Sequence, residues 1–277
     1  LCMRLIFWCT LLFFSQVQAQ ANSFDLFEEN GKVGLKNEQG NILIPAQYDA
    51  LGWPGQNFFV HQGIVGYQKG DHWGLISIQN KVIASAQYTS LVPQGNLIVA
   101  TMKGQQSFRL KTGCIDTSGK TVIPFEYDGI NLQDLRAIVH NRNQNKIEFG
   151  VVNLKNEIII PIQYQSIVPV GNLRFVVENQ DGKKALFTEQ GKKITDFTID
   201  KISTFKKEYA ILYEGAKQGL MDRNGSIRIA PAHQEIKIEE DGSVKLRKPN
   251  RWKIMDSENR LLQELTVDSI KILSVNR

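Results

Sequence analysis

The sequence predicts an all-β fold built from seven tandem antiparallel β-meander repeats. Three observations support this. One short pattern recurs seven times, every copy places a turn signal between two apolar runs, and no amphipathic helix of ten residues can be found after residue 21. Recurrence at a period of roughly 20–50 residues is the signature of repeat architectures. The fold class therefore follows from the period.

Each copy is aligned on an anchor residue, which is glycine in five of the seven copies. Successive anchors are separated by 40, 39, 37, 35, 34 and 34 residues. The anchors are Gly34, Gly74, Gly113, Gly150, Ala185, Gly219 and Lys253. Positions below are counted from the anchor of the same copy. No gap is needed up to position 17, so the length variation falls in the connections between copies.

A hairpin turn is predicted between positions 3 and 6. Position 3 holds a short polar side chain that can bond nearby backbone and start a turn: Asn37, Ser77, Asp116, Asn153, Thr188, Asp222 and Asp256. Position 6 holds Gly or Asn, the residues that most readily adopt positive φ: Gly40, Asn80, Gly119, Asn156, Gly191, Gly225 and Asn259. An apolar return strand follows, as in "NILIPAQY" and "EIIIPIQY".

The unit is predicted to contain three antiparallel strands and a short fourth strand around position 17, which is aliphatic in every copy. A meander of this size cannot bury both of its faces alone, so the copies must stack. A closed ring of seven blades, a β-propeller, fits the copy number and removes exposed sheet edges. The alternative is an open β-solenoid of stacked hairpins, which the short late period favours.

The segment Gly119-Lys120-Thr121 resembles part of a phosphate-binding loop, but its spacing is wrong. Gly113 and Gly119 have five residues between them, whereas the phosphate loop has four. The segment also occupies the predicted hairpin turn of the third copy and should lead into a strand. It is therefore interpreted as part of the repeat.

Two copies resemble the bacterial WG (Trp-Gly) repeat family most closely: "DHWGLISIQNKVI" in the second and "GCIDTSGKTVIPFEYD" in the third. The resemblance covers about residues 24–275. It departs from the family pattern because Trp precedes the anchor only at Trp73 and Trp252, and copies five to seven lack the Ile-Pro and Tyr. The resemblance implies an all-β repeat architecture and an interaction role, with no particular reaction.

The N-terminus is predicted to be a signal peptide, residues 1–21, followed by one repeat domain, residues 22–277. Arg4 precedes the apolar run Leu5–Phe14, and cleavage is expected near Ala19 or Ala21. The run is too short to span a bilayer. The mature protein is therefore expected to be exported, to the periplasm, the cell surface or the medium, without a membrane span.

The net charge of +5 is spread along the chain, with no basic stripe interleaved with aromatics. Nucleic acid is therefore not expected as a partner. No cofactor or metal site is predicted. Cys114 fills an apolar position and is interpreted as a core thiol. His61 and His140 both lie at position 27 of their copies and are interpreted as separate strand histidines.

Trp53 is the candidate partner-binding residue, because it lies in the variable connection "LGWPGQNFF". An exposed Trp can anchor a protein or stack on a sugar; the alternative is a Trp folded back over the core. The leading functional hypothesis is an exported, non-enzymatic scaffold that binds a protein or glycan through its inter-repeat loops. The alternative is an exported carbohydrate-active hydrolase that uses Asp and Glu on one face of the ring.

Overall fold

The computed structural model describes residues 23–104, 109–248, 251–256 and 260–266. These residues form strands and turns without a helix. The predicted signal peptide lies outside them. The strands, in chain order, are β1 (Phe24–Glu29), β2 (Lys32–Asn37), β3 (Ile42–Tyr48), β4 (Ala50–Gly52), β5 (Ile64–Lys69), β6 (His72–Ser77), β7 (Val82–Gln94), β8 (Leu97–Lys103), β9 (Leu110–Asp116), β10 (Thr121–Tyr127), β11 (Gly129–Gln133), β12 (Arg136–Asn143), β13 (Lys146–Asn153), β14 (Ile158–Tyr164), β15 (Ser166–Pro169), β16 (Arg174–Glu178), β17 (Lys184–Thr188), β18 (Lys201–Ile202), β19 (Tyr209–Glu214), β20 (Lys217–Asp222), β21 (Ile227–His233), β22 (Glu235–Ile238), β23 (Val244–Lys248), β24 (Arg251–Met255) and β25 (Leu261–Thr266).

The strands form seven consecutive antiparallel meanders, which confirms the predicted repeat. The meanders are β1–β3, β4–β7, β7–β10, β11–β14, β15–β17, β18–β21 and β22–β25. The short strand around position 17 is present, and it pairs with the next copy: β4, for example, pairs with β5. The long strand β7 ends the second meander and begins the third, so those two form one continuous sheet. Each copy therefore starts the sheet of its successor.

The anchor glycine is required by a close approach of the return strand. A Cβ atom at Gly34 would lie 2.7 Å from the carbonyl oxygen of Ile44, at position 10. The other four anchor glycines meet the same obstacle: Gly74 with Ala84, Gly113 with Ile123, Gly150 with Ile160 and Gly219 with Ile229. The fifth copy carries Ala185 and has no regular return strand, only bridges such as Phe187 to Lys193. The loss of glycine and the loss of the strand thus occur in the same copy.

The predicted turn chemistry is confirmed. The side-chain oxygen of Asn37 accepts hydrogen bonds from the backbone N–H groups of Gln39 and Asn41 at 3.1 and 2.9 Å. Asp116, Asn153 and Asp222 repeat this pattern in their own copies. Position 6 has positive φ in the six copies where it is described: Gly40, Asn80, Gly119, Asn156, Gly191 and Gly225. Gly119-Lys120-Thr121 is therefore a hairpin turn leading into β10.

The hydrophobic cores lie between successive copies. Six clusters of buried side chains are present among the residues described, and each combines two neighbouring copies. In the first, Leu35 and Ile44 pack with Val65 and Ile76 of the second copy. Apolar burial is the main favourable term in folding, so each copy depends on its neighbours for stability.

The cores link each copy to its neighbours along the chain. No cluster within the described parts of the chain combines side chains of the first and seventh copies. Closure into a seven-bladed ring therefore stays a prediction. In four copies the return strand is the outer edge of its sheet and carries a proline: Pro45, Pro124, Pro161 or Pro231. Proline has no N–H to offer and so protects a sheet edge from pairing with another chain.

Candidate functional site

Trp53 is part of the core. Its side chain is 2 % exposed, and its indole Nε1 donates a hydrogen bond of 3.0 Å to the carbonyl oxygen of Phe59. The ring also contacts the rings of Phe59 and His61, with centroids 5.9 and 6.1 Å away. The expectation of an exposed partner anchor is therefore corrected. The connection folds back because the indole buries a large apolar area with its N–H satisfied.

Cys114 and the two position-27 histidines also have structural surroundings. Cys114 is fully buried, and burial raises the pKa of its thiol to about 11. His61 lies beside Trp53, and its Nε2 is 2.7 Å from the carbonyl oxygen of Gly95. His140 lies in β12, opposite Gly129. Their equal spacing does not make them equivalent, because the connection before β5 is longer than the one before β12.

A lysine–aspartate pair recurs in three copies and was not recognised in the sequence. The lysine lies two residues before the anchor and the aspartate at position 15. The pairs are Lys32–Asp49 at 2.5 Å, Lys111–Asp128 at 2.7 Å and Lys183–Asp200 at 2.5 Å. The constant separation of 17 residues in the first, third and fifth copies is the signal that could have revealed it.

The second oxygen of each of these aspartates joins the pair to the next copy. It accepts a hydrogen bond from the backbone N–H of Gly70, Arg142 or Gly215, at 2.7, 2.6 and 2.7 Å. Each donor lies in the hairpin between the second and third strands of the following meander. We call this arrangement of lysine, aspartate and backbone N–H the inter-repeat staple. Its role is to hold successive copies in register.

The staple between the third and fourth copies differs from the other two in its surroundings. Before Lys32 and Lys183 stand the turn dipeptides Asn30-Gly31 and Asp181-Gly182, whereas Arg109 and Leu110 precede Lys111. The N–H donor is glycine in two staples and Arg142 in this one. The β12–β13 hairpin is also longer, since Arg142 pairs with Ile147 and Asn143 with Lys146. Side chains therefore replace glycine turns at this one junction.

These side chains line an open cleft of about 420 Å³. We call it the junction cleft. Its lining consists of Arg109, Leu110, Asp128, His140, Arg142 and Ile147. Of these six residues, only His140 was a candidate from the sequence. The six residues span 39 positions in the chain, and stacking of the third copy on the fourth brings them together.

His140 has a fixed position in the cleft. A Cβ atom at position 129 would lie 2.1 Å from the His140 Cε1, so the ring requires Gly129 beneath it. The His140 ring also packs against Phe149, its partner on the neighbouring strand β13, with ring centroids 5.2 Å apart. Burial lowers the pKa of His140, against an opposing effect of the Asp128 charge. The imidazole is therefore neutral at pH 7 and can donate or accept a hydrogen bond.

Asp128 is ionised and already fully engaged. Partial burial raises its pKa, but hydrogen bonds from Lys111 and the Arg142 backbone bring the pKa below its usual value. The charge of Lys111 and the charge that His140 carries in acid, where Asp128 titrates, act in the same direction. By contrast, no ion pair or hydrogen bond of the Arg109 or Arg142 guanidinium is found among the described residues. The cleft thus offers two uncommitted cations, one neutral imidazole and two aliphatic side chains, Leu110 and Ile147.

Comparisons with known proteins agree with the repeat. The family described as "WG containing repeat" matches residues 34–71, 113–132 and 149–183. No curated protein sequence matches the chain significantly. The apo AztD structure from Citrobacter koseri is similar over 91% of this chain and 84% of that one, at 14% identity and a TM-score of 0.35. The WD40 β-propeller domain of Doa1 is similar over 81% of this chain and 87% of its own, at 14% identity and a TM-score of 0.30.

The class of protein defined by these observations is an all-β repeat protein whose copies stack through shared cores. Three segments of the chain match the WG repeat, and together they cover about a third of it. No helix long and apolar enough to cross a membrane occurs in the part of the chain that the structure describes. The same residues contain no group of three or more His, Cys, Asp or Glu side chains arranged to hold a metal ion.

Proposed function

We propose that this protein is an exported, non-enzymatic scaffold that binds a protein or glycan partner at the junction cleft. The observation that carries the proposal is the local departure from the repeat. Three junctions share one staple, and only the junction between the third and fourth copies surrounds it with Arg109, Leu110, Arg142 and Ile147. Residues that recur account for folding, so residues that depart at one place are the candidates for recognition.

The charges of the cleft support binding over hydrolysis. A glycosidase uses two carboxylates on either side of the scissile bond. The cleft is lined by one, Asp128, and both of its oxygens already accept hydrogen bonds from Lys111 and the Arg142 backbone. Two exposed guanidiniums are instead suited to hold an anionic group of a partner.

Export is proposed from the N-terminal sequence alone. The basic Arg4, the apolar run Leu5–Phe14 and the small residues Ala19 and Ala21 form the pattern of a cleaved signal. N-terminal sequencing of the protein recovered from its native cell envelope or medium tests this. A mature chain starting after Ala19 or Ala21 supports the proposal, and a chain that keeps Arg4 contradicts it.

Partner binding is tested by capture from the native envelope fraction. Wild-type protein is compared with the double variant Arg109→Glu/Arg142→Glu, and with Lys146→Glu as a control. Lys146 lies in the same hairpin as Arg142 but outside the cleft lining. We expect a partner retained by wild type and by the control and lost by the double variant. Retention of the same partners by all three proteins would refute the cleft as the binding site.

A further inference from the structure

We propose that the junction cleft recognises a carboxylate attached to an aliphatic group, as at the C-terminal end of a protein chain that finishes in Leu or Val. This inference rests on the proposed function and specifies its partner. The partner would then be a protein with an accessible chain end of this kind. The inference depends on the charge of the cleft, on its apolar wall and on its rigidity.

The charge of the cleft fits a negatively charged group. Arg109 and Arg142 are both exposed and lack an ionic partner among the residues described, while Asp128 is neutralised by Lys111. A planar guanidinium presents a fork of N–H donors that matches a carboxylate. His140 is neutral, so it adds a hydrogen bond without adding charge.

The apolar wall fits an aliphatic side chain. Leu110 is 52 % exposed and Ile147 is 42 % exposed, and both line the cleft beside the two arginines. Ordinary proteins bury such side chains or scatter them singly, and exposed apolar area beside convergent polar groups is typical of binding sites. The lining contains no Trp, Tyr or Phe on which a sugar ring could stack. An aliphatic chain end therefore suits this wall better than an acidic sugar.

One side of the cleft is held in place by contacts within the protein. Asp128 holds the backbone N–H of Arg142, and Phe149 and Gly129 hold the His140 ring. The hairpin that carries Arg142 is thus tied to the third copy by the staple. Backbone and imidazole groups that are already held in place lose little conformational entropy when a ligand binds.

The test uses small probes and saturation-transfer NMR on the purified protein. N-acetyl-leucine presents the proposed carboxylate and side chain, and N-acetyl-leucinamide is its uncharged match. We expect binding of the acid and at least about ten-fold weaker binding of the amide. Arg109→Gln and Arg142→Gln should each lower the affinity for N-acetyl-leucine about ten-fold, because each removes one charge-assisted contact. Lys146→Gln, which changes the net charge equally, should leave the affinity within about two-fold.

Two further probes and a fold control complete the design. If glucuronic acid binds as tightly as N-acetyl-leucine, the ligand is an acidic glycan and the proposal of a protein chain end is wrong. If inorganic phosphate competes with N-acetyl-leucine at equal affinity, the cleft binds any anion and the proposed preference for a carboxylate is wrong. Unchanged amide NMR spectra outside the cleft identify folded variants. If no probe binds while envelope capture still depends on Arg109 and Arg142, the ligand class is wrong and the binding scaffold stands.

Discussion

Replacing Asp128 with Asn should destabilise the junction between the third and fourth copies more than the same change at Asp49 destabilises the first junction. The Lys111 and Asp128 side chains are 24% and 21% exposed, whereas Lys32 and Asp49 are 46% and 36% exposed. Solvent screens an exposed ion pair strongly and a partly buried one less. For Asp128 we expect a loss of about 1.5–2 kcal/mol in the free energy of unfolding, the lower part of the range for hydrogen bonds to charged groups.

The sign of the pH dependence follows from the depressed pKa of Asp128. A carboxyl group whose pKa is lower in the folded state stabilises the fold at pH values above its unfolded pKa. That stabilisation is lost as the pH falls through the folded pKa, below the ordinary value of 3.8. Wild type and Asp128→Asn should therefore differ at pH 7 and converge in acid. The other carboxylates contribute equally to the pH dependence of both proteins, so the difference between the two proteins at each pH reports on Asp128.

The measurement is native-state amide hydrogen exchange, because a stack of repeats need not unfold in one step. The backbone N–H of Arg142 donates to Asp128 at 2.6 Å and reports directly on the staple. Its exchange should become about ten-fold faster or more in Asp128→Asn at pH 7. The reasoning is refuted if Asp49→Asn accelerates exchange at Gly70 as much, or if exchange at Arg142 does not change.

Two other predictions concern the anchor and the core. Gly150→Ala should lower the free energy of unfolding in urea by about 1–3 kcal/mol, because the new Cβ would lie 2.8 Å from the Ile160 carbonyl oxygen. The control is Ala185→Gly, in the copy that has no regular return strand. If Gly150→Ala destabilises the protein less than Ala185→Gly does, the steric argument is wrong. The Cys114 thiol should not react with a thiol reagent at pH 8 while the protein is folded, because it is fully buried and its pKa is raised to about 11. In denaturant it should react fully. Rapid labelling of the native protein would contradict the prediction and show that the core is open.

Much of the repeat was predictable because its determinants are local. Asn37, Gly40 and their counterparts shape a turn through atoms a few residues away, so their spacing alone predicts the hairpin. The short strand at position 17 was also predicted, but its pairing with the following copy was not assigned. That pairing depends on how two copies meet, which no single copy encodes.

The candidate site was far less predictable. Trp53 was chosen because it stands in a variable connection, and it lies in the core because its indole finds a carbonyl partner at Phe59. Arg109 and Arg142 lie in different copies, and neither residue by itself indicates a binding site in the sequence. They become notable only when their positions are compared with Asn30 and Gly70, or Asp181 and Gly215, around the same staple.

By itself, the sequence determined the all-β class, the seven copies, the turn at each hairpin and the need for neighbours, because these depend on local backbone preferences and on how little one copy can bury. The tertiary structure alone decided which side chains share a surface. Burial of Trp53, the staple from Lys111 through Asp128 to Arg142, and the junction cleft all arise where one copy packs on the next. Side chains about 30 residues apart become neighbours there only after the cores between copies have formed.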